Sequence, residues 1–185
     1  YNAGTGVWSA SGALADVNTL LAGVTFNPAA NFNSSFNIAT SVADVPDGAT
    51  ITGSKTMTGT AVNDAPTATN LSAAESYTED TPLNLTDIVV TDPDAGNVIT
   101  ATLTLSNLAA GTLSTATSGA VSSTFAAGVW TASGALANVN TLLAGVTFTP
   151  ALNFNSSFDI ATSVSDGIAV AVTGLKSITG FPIND

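Results

Sequence analysis

Apolar residues in this chain recur mostly at alternate positions over short stretches. Residues 99–105, ITATLTL, set Ile99, Ala101, Leu103 and Leu105 on one side and threonine on the other, the two-residue period of a strand with one buried face. Threonine suits the wet face because its branched β-carbon fits the pleat. Further stretches of strand character are DIVVT (87–91), GVWTA (128–132), GVTFTP (145–150), FDIATSV (158–164) and IAVAVTGLKSIT (168–179), set apart by the turn formers DPDAGN, AAGT and SDG. One segment differs. In ALANVNTLLAG (135–145), Leu136, Val139, Leu142 and Leu143 follow helical spacing, which predicts a short helix between two strands. The pattern is that of an all-β fold, a two-sheet β-sandwich of about seven strands with one short helical crossover.

The sequence repeats. Residues 6–44 recur as residues 128–166, and only six of these 39 positions differ: Ser9/Thr131, Asp16/Asn138, Asn27/Thr149, Ala30/Leu152, Asn37/Asp159 and Ala43/Ser165. After a one-residue length change, TGSKTMTGTAVND (52–64) matches TGLKSITGFPIND (173–185), so the period is about 121 residues. Residues 65–185 are therefore expected to be one complete repeat, and residues 1–64 the C-terminal half of a preceding one. Near-identical neighbours point to a tandem array in which each copy does the same mechanical work. Without a counterpart of residues 65–122, the half-repeat is expected to expose apolar faces and unpaired edges around Trp8, Phe26, Phe36 and Ile38, and to need strands from another copy of the repeat, in an adjoining chain or upstream in the same polypeptide, to cover them.

Composition narrows the chemistry. The chain has 13 acidic residues, two lysines, and no arginine, histidine or cysteine, for a net charge of −11. Nucleic-acid binding and attraction to anionic membranes need clustered cations that this sequence lacks. Zinc fingers, thiol nucleophiles and histidine dyads lose their parts, and we expect no enzyme. Carboxylates and carbonyls suit Ca²⁺, which can hold an extracellular fold together in place of disulfides. No stretch reaches the roughly 18 apolar residues of a membrane span, and YNAGTGVWSA at the start is no export signal, so any such signal is expected to lie outside this sequence.

Glu79 and Asp80 in YTEDTPL, with Asp92 and Asp94 in TDPDAGN, form the densest group of acids. Acids at i and i+2 in a turn, with Gly96 letting the chain fold back, can wrap a cation; brought together without one, they repel. The same residues also make ordinary turns. In order along the chain, VNDAP (62–66), YTEDT (77–81), DPDAG (92–96) and SDG (165–167) resemble the cadherin-like tandem repeats of bacterial surface adhesins. Asp64 precedes Asp92 and Asp94 by 28 and 30 residues, much as a cadherin linker precedes its Asp-x-Asp pair. That resemblance implies a calcium site formed by Asn63, Asp64, Asp92, Asp94 and Asp166 at the start of the repeat. It also implies that Glu79 faces the opposite end, with Asn184 and Asp185 of the outgoing linker. The cadherin Asp-Arg-Glu segment has no counterpart in TPALNFNSS, which implies fewer ions per junction.

The resemblance implies a calcium-stiffened stalk module of a secreted, cell-surface protein, partnered by neighbouring repeats of the same or an identical chain. An adhesion module gripping a cell surface or polysaccharide is the competing reading, with Trp8 and Trp130 as stacking platforms; each tryptophan reads more simply as core. A hydrolase is disfavoured, because adjacent acids in turns supply no acid and nucleophile on opposite faces of a substrate. Lys55 and Lys176 occupy equivalent positions and read as exposed guards of an edge strand; an intramolecular isopeptide bond would need a buried lysine beside an amide.

Overall fold

The computed structural model describes residues 1–44, 48–94 and 96–184. The chain divides into two compact units, Tyr1–Val62 and Asn63–Asp185. The division thus falls two residues before the repeat boundary, and Asn63 and Asp64 belong to the second unit.

In the first unit, α1 (Leu14–Ala22) precedes the hairpin of β1 (Phe36–Ala43) and β2 (Thr50–Met57). The two strands pair antiparallel from Phe36 with Met57 to Ala43 with Thr50. The helix buries none of its residues.

The second unit contains β3 (Thr67–Ala68), β4 (Glu75–Thr78), β5 (Leu83–Asn84), β6 (Val90–Thr91), β7 (Val98–Leu105), β8 (Gly111–Leu113), β9 (Thr117–Ser118), β10 (Val121–Ser122) and β11 (Thr124–Ala126). It continues with β12 (Val129–Ala135), α2 (Leu136–Ala144), β13 (Thr147–Pro150), β14 (Phe158–Ser165) and β15 (Val172–Phe181). One sheet runs β11-β12-β7-β14-β15-β4, and a second runs β5-β13-β8. Among the described strands only β4 joins its sheet in parallel, beside β15.

The inward residues of β7, Ile99, Ala101, Leu103 and Leu105, are buried with Trp130 of β12 and Ile160 and Val164 of β14. Phe148 of the second sheet lies 4.9 Å from Phe158 and 5.2 Å from Tyr77, ring centre to ring centre. The sheets therefore share one apolar interior, and each large side chain fully buried there stabilises the unit by about 1.5–3 kcal/mol before entropy is counted. The helix α2 adds Val139, Leu142 and Leu143. No helix among the described residues is long and apolar enough to cross a membrane.

Three expectations change. DIVVT is a strand only at Val90–Thr91; before it the Asp87 carbonyl accepts from the Asn70 amide and the Val89 carbonyl from the Thr69 N–H, and Asn140 of α2 bonds both the N–H and the carbonyl of Val90 at 2.9 Å. IAVAVTGLKSIT becomes a strand at Val172, since the N–H groups of Ile168 and Ala169 turn back to Asp166. Lys176 is not an exposed guard. It points into the interior, fully buried, with Nζ 2.7 Å from Glu75 of β4 and 3.2 Å from the Thr86 carbonyl, while its neighbour Leu175 is exposed.

Candidate metal centre

Strand register brings the sequence-predicted ligands to one end of the second unit. Thr67 of β3 pairs with Thr91 of β6, and Thr100 near the start of β7 pairs with Ser165 at the end of β14. Asp92 directly follows β6, Asn97 directly precedes β7, and Asp166 directly follows β14. Asn63 and Asp64 enter the same end a few residues before β3.

Hydrogen bonds join these residues. Asn63 donates from Nδ2 to Asp166 Oδ2 at 2.8 Å and accepts at Oδ1 from Asn97 Nδ2 at 3.2 Å. The Asp64 N–H donates to Asp94 Oδ2 at 2.7 Å, and the Asp94 N–H donates to Asp92 Oδ1 at 2.8 Å. This last bond closes the Asp-Pro-Asp turn. The chain then reverses through Gly96 at a φ of 90°, a conformation glycine adopts without steric cost. Asp166 Oδ1 accepts from Ile168 and Ala169, both at 2.9 Å. The bond from Asn63, then that from Ile168, hold the Asp166 carboxyl below the usual carboxylate range, against a smaller opposing effect of desolvation.

Among the described residues one buried side-chain oxygen has no hydrogen-bond partner, Asp92 Oδ2. A carboxylate oxygen withdrawn from water without a donor is costly. The second unit's one lysine, Lys176, is committed to Glu75. The donor set is thus all oxygen, rich in carboxylate and short of positive charge, which fits a hard divalent cation. Among the described residues no three acidic side chains are gathered as a closed ligand set; the backbone N–H groups and asparagine amides currently occupy Asp94 and Asp166.

Glu79 does not join this group. It is buried near the other end of β15, where Oε1 accepts from the Ile183 N–H at 2.6 Å and Oε2 from Asn155 Nδ2 at 2.9 Å. Asp166 lies before the ten-residue β15 and Ile183 after it, a separation of about 30 Å along an extended strand. Burial, then the Glu79 charge, push the nearby Tyr77 hydroxyl up. Both Glu79 oxygens are satisfied, so this carboxylate fastens the outgoing segment to the sandwich. Asp185 lies outside the described residues.

Sequence reasoning missed Asn97, whose place between a turn and a strand was its only signal, and the Glu75–Lys176 pair. The tryptophan platform loses its basis in the second unit, where Trp130 is buried and its indole N–H donates to the Ser114 carbonyl at 3.0 Å.

No family model matches the chain, and no curated protein matches it. Among solved structures, protocadherin gamma B2 extracellular cadherin domains 3–6 align with 80% of this chain and 33% of theirs, at 14% identity and a TM-score of 0.47. The protocadherin gammaB7 EC3-6 cis-dimer structure aligns with 79% and 32%, at 13% identity and a TM-score of 0.40. Domains 4 and 5 of the S-layer protein SbsC align with 80% and 71%, at 15% identity and a TM-score of 0.37. The chain spans about one third of the length of the two protocadherin chains.

Proposed function

We propose that this chain is a calcium-stiffened structural module of a secreted, cell-surface repeat protein of the adhesin type, and that Asn63, Asp64, Asp92, Asp94 and Asp166 hold the ion. The observation that carries the reading is the partnerless buried oxygen of Asp92 among carboxylates that no lysine neutralises. Calcium would supply the missing positive charge and tolerate an irregular ring of oxygens. Closure around it requires Asp94 and Asp166 to exchange some N–H donors for the ion. Asn63 and Asp64 are the first residues of the second unit, so the ion would tie the incoming chain to three strand ends. A repeated module with such a tether resists bending and pulling at every repeat, a mechanical role that suits near-identical copies.

Thermal unfolding in calcium and in EGTA tests this. Free calcium at about a hundredfold over its dissociation constant stabilises by about 2.7 kcal/mol, an increase in Tm of about 10 °C for a unit of this size. Asp92→Asn and Asp94→Asn should abolish that increase while leaving the EGTA melt nearly unchanged. Equal melting curves for the parent chain with and without calcium would refute the assignment.

A further inference from the structure

The two units contain nearly the same C-terminal half-repeat, once with an N-terminal half packed on it and once without. The covered copy therefore displays what the open copy lacks. Phe148 is fully buried and its equivalent Phe26 is 46% exposed; Ile160 is buried and Ile38 is 37% exposed; Val164 is buried and Val42 is 60% exposed. The helix α2 buries three residues and α1 none. Strand β12 pairs with β7, and β13 with β5 and β8, whereas the matching residues 7–13 and 25–28 form no strand.

The close approaches show the same difference. A β-carbon on Gly174 would come within 2.6 Å of Leu71, and one on Gly128 within 2.2 Å of a Leu108 methyl. At the equivalent Gly53 the nearest atom is the Thr40 hydroxyl at 3.0 Å, and Gly6 meets nothing within 4 Å. Charge agrees with shape: buried Lys176 pairs with Glu75, while the equivalent Lys55 is exposed on β2.

We propose that the open face of the first unit is an acceptor for an N-terminal half-repeat, a strand-forming polypeptide of the sequence type of residues 65–122. Its Glu75 equivalent meets Lys55, its Leu71 equivalent seats against Gly53, and its strands pair with residues 7–13 and 25–28. A second copy of this chain is not the occupant. Residues 1–185 include two C-terminal halves and one N-terminal half, so a second copy of these residues that lends its N-terminal half uncovers its own.

The test joins residues 65–122 ahead of Tyr1, leaving the present chain intact behind them. The added segment contains no tryptophan and Trp130 is already buried, so a shift of emission to shorter wavelength reports Trp8. We expect that shift, together with at least tenfold slower amide exchange in residues 7–13 and 25–28. Gly53→Ala in the extended chain should reverse both, while the same substitution leaves the unextended chain unchanged. An extended chain with unaltered Trp8 emission and exchange, while its second unit melts normally, would overturn the proposal. So would sedimentation showing that the unextended chain covers Trp8 by self-association.

Discussion

Two residue pairs carry the sharpest consequences. Lys176 and Glu75 are an ion pair at 2.7 Å with side chains 0% and 5% exposed. Removing one member of such a pair leaves a charge stranded in the interior, at a cost of about 3–5 kcal/mol, whereas replacing both by apolar groups of similar size is often neutral. Glu75→Ala should therefore destabilise the second unit strongly, and Glu75→Leu with Lys176→Met should restore most of the loss in denaturant unfolding; an additive double variant would contradict this. Asp166 contributes to acid behaviour in metal-free buffer. Its folded carboxyl ionises below the ordinary value of 3.8, so the stabilisation it provides is complete above that value and fades as pH falls below it through the lower folded value. Unfolding curves in EGTA should weaken below about pH 4, and Asp166→Asn should flatten that decline. The second unit's inward lysine was poorly legible because alternation through Leu175, Lys176 and Ile178 gives the leucine and the lysine conflicting claims to the inside; Glu75, 101 residues away in the chain, settles the matter.

At the scale of elements, the repeat serves as an internal experiment on context. The helix and the hairpin appear in both copies, α1 matching α2 and β1–β2 matching β14–β15, with Phe36 opposite Met57 where Phe158 is opposite Ile178. Their hydrogen bonds close within short stretches of chain. Among the described residues the strands β12 and β13 appear only in the second unit, because a strand needs a neighbour for its backbone groups, and β7 beside β12 and β5 and β8 beside β13 all lie in residues 65–122. Trp130 and Trp8 measure the difference energetically. Trp130→Ala should cost about 3–5 kcal/mol by emptying a packed site, whereas Trp8→Ala should cost less than about 1 kcal/mol in the present chain. Chemical denaturation followed by circular dichroism compares the two, and equal losses would mean that Trp8 is packed as tightly as Trp130.

For the molecule as a whole, period-two alternation in residues 99–105 and helical spacing in residues 135–145 were enough to read an all-β fold with one short helix per repeat, since both depend on which side of a local element faces the interior. Repetition itself was visible by comparison of the chain with itself. The resemblance of the ordered motifs to cadherin-like repeats implied that Asn63, Asp64, Asp92, Asp94 and Asp166 form one group, but their spacing could not say which atoms bond. That Asn97 supports Asn63, that Asp92 keeps an unpartnered oxygen, and that Glu79 fastens Ile183 instead follow from strand registers between residues as many as 104 positions apart. Sequence alone determined the periodicities, the turns, the helix and the acidic, cation-poor character of the chain, because each arises from side chains and backbone bonds close along the chain. Only the tertiary structure decided the fate of Lys176, the bonds of Glu79 to Ile183 and Asn155, and which copy of the repeated sequence forms its full set of strands, because long-range pairing supplies the partners those groups lack locally.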